Sequence, residues 1–321
     1  MGNVANWARR SAILAALAAG SVAPAAAADA IYGFSGWSVG YLPTAIAIDR
    51  LSEMGYEIEV VELGSNSNQL QAAATGAIQI TALSQIIDAM DQGLDSRFFL
   101  ELNTNEFLLV AKAELDTCES LTGHTLGIQS AGSFVGQLAV QWLADTCPTA
   151  QPVITVIEGS DNRLAALLAG QLDSSVVDLQ DWAQLQKARP GEFIVTGDFT
   201  KQLPIMRAAF AAPRSFIAEN QQLIEDWIRV HLDVYEEIYE NPQILIDKGA
   251  EVLVEVDPAD LPDVVQAFVD ARLWPTDGGL ADAGIDATIA FFNRDGEPFA
   301  NVKSAADVVD RTLLDKVLAS R

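Results

Sequence analysis

The 321-residue chain carries 44 acidic and 19 basic residues, a net charge of −25, and half of its residues are apolar. An acidic excess scattered along the whole chain excludes nucleic acid as a partner and argues against electrostatic attachment to anionic lipid. The apolar half is ample for a core, and the length suits about two domains.

Residues 1–28 read as an export segment: Arg9 and Arg10 precede the apolar run 12–22, and four alanines, 25–28, make a small-residue cleavage site after Ala28. The run is shorter than the roughly 20 residues that span a bilayer. Arg9-Arg10-Ser11 also resembles a weak twin-arginine signal, but its flanking residues favour an ordinary secretory one. Removal of this segment takes two of the 19 basic residues and no acid, leaving 17 against 44, or −27. The mature chain is therefore expected to be soluble and periplasmic.

Residues 30–34 follow as a strand, 35–40 as its loop, and 41–54 as an amphipathic helix with Pro43 in its first turn. The stretch 56–63 alternates apolar residues with acids, as a half-buried strand does. A turn at 62–68, a helix to Thr75, Gly76 and a strand at 77–83 come next. Strands at 98–102 and 107–111 flank Asn103-Thr104-Asn105-Glu106, where the chain is expected to cross to a second lobe.

That second lobe centres on 125–178. An apolar strand at 125–128 meets the small polar turn 129–133 and continues as a helix through Trp142. Such a loop leaves the first N–H groups of the helix aimed at one point, a seat for an anion or a carbonyl group. An apolar segment at 153–157, a turn at 158–162, a helix at 163–168 and a strand at 174–177 ending on Asp178 complete it. The pattern occurs twice at an offset of 94 residues: Gly33 aligns with Gly127, Asn68 with Asn162, Leu70 with Leu164, Gly76 with Gly170 and Ser84 with Asp178. This period is too long for a solenoid and suits two similar α/β lobes whose strand ends face one cleft.

Cys118 and Cys147 are the only cysteines, and in an oxidising compartment they are expected to form a disulfide worth about 3 to 4 kcal/mol. With only His124 and His231 in the chain, a histidine-based nucleophile or a multi-histidine metal site has too few parts. Both histidines are expected on the surface or bonded locally.

A strand at 193–196 and a return crossing at 207–211 precede long helices at 215–240, 242–254, 261–271, 281–293 and 304–319. Two crossings and no linker imply a discontinuous first lobe, 29–108 with 211–321, a second lobe at 109–210, and a hinge.

These residues resemble the substrate-binding proteins of ABC importers, in the nitrate/sulfonate/taurine-type class. The resemblance covers nearly all of the mature chain and rests on 122–133, on Ala165-Ala166-Leu167-Leu168-Ala169-Gly170-Gln171-Leu172-Asp173, on 213–242 and on 306–314. Ser174 stands where the pattern has alanine, and the usual lysines before Leu126 are absent. The resemblance implies a type II periplasmic binding fold: two Rossmann-like α/β lobes joined by a double-crossing hinge, with C-terminal helices completing the first.

Ligand-binding candidates are Ser35, Gly36, Trp37, Gly64, Ser65, Asn66 and Ser84 from the first lobe, and Ser130, Gly132, Ser133, Phe134 and Asp178 from the second. Helix capping or turn chemistry is the competing role for the serines and glycines, and capping of the helix around Trp182 for Asp178. The expected function is that of a monomeric, non-enzymatic receptor without cofactor or metal, which delivers its ligand to an inner-membrane permease. An anionic ligand end would sit at the helix start, its flat part on Trp37, and an N–H donor on Asp178. That combination favours a sulfonate, amino-sulfonate or nitrogen heterocycle over nitrate. The rivals are a receptor serving a sensor and an enzyme on the same fold: a pyrimidine synthase needing a cofactor lysine and a histidine, or a deaminase needing a free cysteine.

Overall fold

The computed structural model describes residues 28–254, 256–293 and 298–321; the expected export segment lies outside them except for Ala28. A first run comprises β1 (Ala30–Phe34), α1 (Leu42–Glu53), β2 (Ile58–Glu62), α2 (Asn66–Thr75), β3 (Ile80–Ala82), α3 (Ile86–Asp91) and β4 (Ser96–Thr104). A second comprises β5 (Phe107–Lys112), β6 (Thr125–Ile128), α4 (Phe134–Thr146), β7 (Val153–Val156), α5 (Ser160–Leu168), β8 (Ser174–Asp178), α6 (Leu179–Ala188), β9 (Phe193–Asp198) and α7 (Phe199–Gln202). Then come β10 (Met206–Pro213), α8 (Arg214–Glu219), α9 (Gln221–Glu240), α10 (Gln243–Val252), α11 (Leu261–Asp270), α12 (Asp282–Phe292) and α13 (Thr312–Ser320).

The strands form two five-stranded sheets, ordered β2-β1-β3-β10-β4 and β7-β6-β8-β5-β9. In each, the first three strands are parallel and the fourth pairs antiparallel with the third. The 94-residue repeat is thus a repeat of topology, and its glycines show why it persists. A Cβ on Gly33 would stand 2.6 Å from Ile78 Cδ1, and one on Gly127 2.4 Å from Leu172 Cδ1. The same glycine carbonyls accept Thr81 Oγ1 at 2.9 Å and Ser175 Oγ at 3.0 Å. Gly76 and Gly170, at φ 73° and 70°, close α2 and α5 in the left-handed conformation that glycine adopts without cost.

The crossings are short. Asn105 and Glu106 alone separate β4 from β5, and α7 with the three residues after it leads back to β10. The expected return crossing at 207–211 is itself a strand, inserted between β3 and β4. Cys118 and Cys147 are bonded, with their Cα atoms 6.1 Å apart. The C-terminal helices mostly cover the first sheet, but α12 also reaches the second. Gln141 Nε2 donates to the Phe291 carbonyl at 2.8 Å, and the Phe291 ring lies 5.3 Å from that of Phe134.

Two helices expected as single pieces are broken. Asn220 leaves the helical region (φ −122°, ψ 39°) and its Nδ2 donates to the Phe216 carbonyl at 3.0 Å, which separates α8 from α9. Near the end, Ser304 and Asp307 form a capping box around a single turn. Val309 then bridges Phe98 beside β4, and a helix resumes only at Thr312.

The first core closes on aromatic rings from β1, β10 and α9. His231 is wholly buried there, stacked on Trp227 at 5.0 Å and edge-on to Phe210 at 4.7 Å. Its Nδ1 bonds the Trp227 carbonyl at 2.8 Å, while Nε2 has no partner. Burial drives its pKa down to about 3. The unfolded chain therefore binds this proton below about pH 6.5 and the folded chain does not. Stability from this residue is full above that pH and falls by up to roughly 4 kcal/mol as pH drops toward 3. Glu101, buried and held up at about 7, acts in the opposite sense between pH 4.5 and 7. Replacing His231 by Phe is expected to flatten the loss of melting temperature between pH 6 and 4 relative to wild type; parallel curves by calorimetry would refute the assignment.

Candidate functional site

The carboxyl ends of the parallel strands in both sheets open onto a cavity of about 590 Å³. From the first sheet it receives Ser35, Gly36 and Ser38 after β1, Tyr41, Gly64 to Ser67 after β2, and Gln85. The second sheet supplies Gln129, Ser130 and Gly132 to Val135 after β6, Ser160 and Arg163 from α5, and Asp178 at the end of β8. Glu106 comes from one crossing, Phe107 from the start of β5, and Arg207 from the strand that follows the other crossing.

Three lining residues are helix caps. Ser65 Oγ accepts Asn68 N at 3.2 Å, Ser133 Oγ accepts Gly136 N at 3.0 Å, and Asp178 Oδ1 accepts Asp181 N at 2.8 Å. Capping and lining are thus compatible, since a cap must sit at the helix mouth. Ser133 Oγ also accepts Ser130 N at 3.2 Å and donates to the Ser130 carbonyl at 2.8 Å, which folds the loop over the first turn of α4. The next two residues, Phe134 and Val135, have no carbonyl four residues back within the helix, so their N–H groups face outward. Among the described residues the hydroxyls of Ser35, Ser38, Ser67 and Ser130, all on the lining, make no hydrogen bond.

Arg207 is the centre of the electrostatics. Its side chain is only 17% exposed, and Nε lies 3.4 Å from Glu106 Oε1 without forming a hydrogen bond. The guanidinium sits 5.3 Å from the Phe134 ring centroid and 5.6 Å from that of Phe107. Such contacts contribute roughly 0.5 to 2 kcal/mol and leave the donor edges free. Burial pushes the Glu106 carboxyl up to about 7 against the pull of Arg207. Arg163 is buried too, donating through Nη1 to the carbonyls of Gly159 at 3.1 Å and Ile157 at 3.3 Å, with Nε unpartnered. Asp181, which accepts the Ser160 hydroxyl, and Asp178 are both raised first by burial, with Arg163 opposing. Two cations therefore face three acids that give up their protons reluctantly, so charge here is matched rather than absent.

Ten of the twelve sequence candidates line this cavity; Trp37 and Ser84 do not. Trp37 packs its ring 4.4 Å from that of Phe34 and lines an adjoining depression of about 500 Å³ that shares Gly36 and Ser38 with the cavity. Ser84 is fully buried and its hydroxyl has no partner. Asp178, expected to seek a donor on the ligand, already has the Asp181 N–H and the Arg163 charge. Sequence reasoning passed over Glu106, Arg163 and Arg207. A signal existed for two of them: Arg207 interrupts an apolar strand, and Arg163 occupies, 94 residues on, the place of the buried Gln69.

Residues 51–244 match the model of a protein family described as NMT1/THI5 like. The chain belongs to the NMT1/THI5-like family. No curated protein sequence matches it. In shape, this family member is similar to the periplasmic aliphatic sulphonate binding protein SsuA of Escherichia coli (TM-score 0.67, 16% identity, covering 82% of this chain and 90% of that one). It is likewise similar to the periplasmic nitrate-binding protein NrtA of Synechocystis PCC 6803 (0.63, 13%, 91% and 88%). A third likeness is to the alkanesulfonate-binding protein SsuA of Xanthomonas axonopodis pv. citri bound to MOPS (0.61, 16%, 90% and 96%). At such identities the likeness is one of fold: the NMT1/THI5-like chain has the type II periplasmic binding fold.

The helix start tolerates little change. A Cβ on Gly136 would stand 1.8 Å from the Ser130 carbonyl oxygen, a backbone atom that cannot swing aside. Gly136→Ala is expected to displace the 130–133 loop and cost about 1 to 3 kcal/mol. An unchanged denaturation midpoint, with unshifted Ser130 and Ser133 amide resonances, would show that the loop does not depend on this contact.

Proposed function

We propose that the chain is an exported solute receptor of the periplasm, which captures a small organic molecule in the cavity between the two sheets and delivers it to the permease of an ABC importer. The observation that carries this reading is Arg207, a guanidinium with free donor edges inside a cavity that also holds the open N–H groups of α4 and four unbonded hydroxyls. An anionic ligand end fits there, as a sulfonate or amino-sulfonate would supply. The rest of such a ligand extends past Gly36 and Ser38 toward Trp37. That solved neighbours of the same fold are described as sulfonate-binding and nitrate-binding proteins supports the class.

An enzyme on this fold is the weaker reading. Among the described lining residues there is no lysine, histidine or cysteine; both cysteines are bonded to each other, and His231 lies in the first core. The residues that would hold a pyrimidine-synthase or deaminase cofactor are therefore not at the cavity.

Thermal-shift screening with sulfonates, amino-sulfonates, nitrogen heterocycles and nitrate is expected to yield stabilising ligands bearing an anionic group. For the best of them, Arg207→Ala is expected to weaken binding about 30-fold or more, as loss of a buried charged partner costs 2 kcal/mol upward. Wild-type affinity in that variant would remove the basis of the reading.

Receptor function also implies closure of a lobe formed by 29–108 and 211–321 on one formed by 109–210, about the two crossings. Small-angle scattering should then record a smaller radius of gyration at saturating ligand; an unchanged radius counts against a hinge.

A further inference from the structure

Glu106 lies in the first crossing and Arg207 on β10, just after the second, and their ion pair is incomplete. Oε1 of Glu106 approaches Arg207 Nε to 3.4 Å without a hydrogen bond. Oε2 lies 3.5 Å from Asn103 Nδ2 and against Gly40, where a Cβ would come within 2.9 Å of it. The residue is 6% exposed yet lines the cavity. The charged and titratable groups turned toward it are Arg207 from β10, Asp178 from the end of β8, and Tyr41 at the start of α1.

An ionised Glu106 cancels the charge that an anionic ligand would need and repels that ligand from within the same cavity. A protonated Glu106 does neither, and its hydroxyl becomes a hydrogen-bond donor. Two anions sharing one buried guanidinium leave one of them uncompensated, and a proton on the carboxylate resolves the conflict without moving the backbone.

We propose that Glu106 is the charge-selecting residue of the cavity: it takes up one proton from solvent when an anionic ligand settles on Arg207, so that such ligands are captured as anion plus proton. No bond in the ligand changes. This inference rests on the receptor reading above and adds to it a linkage between binding and acidity. The high protonation midpoint of Glu106, about 7, places the exchange near neutral pH. Neutral ligands gain nothing from acidity, so pH selects among ligand classes.

The test is titration calorimetry on the exported chain with ethanesulfonate, methanesulfonate and nitrate at pH 6, 7 and 8. Amine buffers of different ionisation enthalpy serve here, because sulfonate buffers compete. For any anion that binds, wild-type affinity is expected to fall toward tenfold per pH unit above 7, with close to one proton taken up per ligand at pH 8. Glu106→Gln is expected to bind that anion with the same affinity at all three pH values and with no proton uptake. Carboxyl-carbon NMR of glutamate-labelled wild type gives a readout free of folding effects: the Glu106 midpoint should rise by about two pH units or more at saturating anion. Binding by wild type with no pH dependence and no proton exchange, or an unmoved midpoint, overturns the proposal and leaves the receptor reading standing. Absence of binding by all three anions overturns the proposal together with the anionic-ligand reading.

Discussion

A guanidinium withdrawn from water must be compensated, and the Arg207 side chain sets that requirement at the meeting point of both sheets. Its neighbours answer only in part: a carboxylate at 3.4 Å, two aromatic faces, and no hydrogen bond at Nε. The rest of the cavity can be understood from this deficit. Uncharged donors surround it, in the open N–H groups of α4 and the serine hydroxyls, and the acids nearby are buried deeply enough to hold their protons longer than acids in water do. On the proposed receptor reading, a site built so would favour an anion without a large exposed positive field, on a chain of strongly negative net charge.

Much of the fold was legible because it rests on local steric demands. Gly33 and Gly127 have to be glycine where a third strand's entry residue packs across the first strand, and Gly76 and Gly170 have to turn left-handed. Such demands leave letters in the sequence at a fixed offset, and the strands follow from them. The site was legible where it consists of loops after strands, since topology alone sends those loops to one edge. Glu106 and Arg207 were not, because a charge acquires its role only when closure removes water from it. That Trp37 lines an adjoining depression and not the cavity itself was hidden for a related reason: a loop aromatic looks unoccupied until the ring of Phe34, three residues earlier, is found beside it.

The two halves of the duplication have diverged at one informative place. Beneath the first sheet's strand ends lie Gln69 and Ser84, both uncharged and both wholly buried. Gln69 donates to Thr81 Oγ1 at 2.7 Å and to the Ala82 carbonyl at 3.0 Å. At the same offset in the second half stand Arg163 and Asp178, a charged pair that reaches the cavity. Geometry was retained and polarity was not. The first copy of the repeat thus contributes a neutral wall and the second two charged side chains, while Arg207 comes from β10 of the first sheet and Glu106 from a crossing.

The insertion of β10 between β3 and β4 also sets an order of assembly. All five strands of the second sheet and its disulfide lie within 107–198, so its strand pairing draws on no other part of the chain, although Phe291 of α12 completes its core. The first sheet has its fourth strand more than a hundred residues downstream, with Phe210 paired to Ala82, and until that strand arrives β4 has no place in it. Contacts of such separation form late, because a long loop must close before they repay its entropy. A chain emerging from its N-terminus would therefore hold β4 and the free edge of β3 waiting for β10, while the later segment is made. The first sheet is thus closed only after the whole of the second has been synthesised.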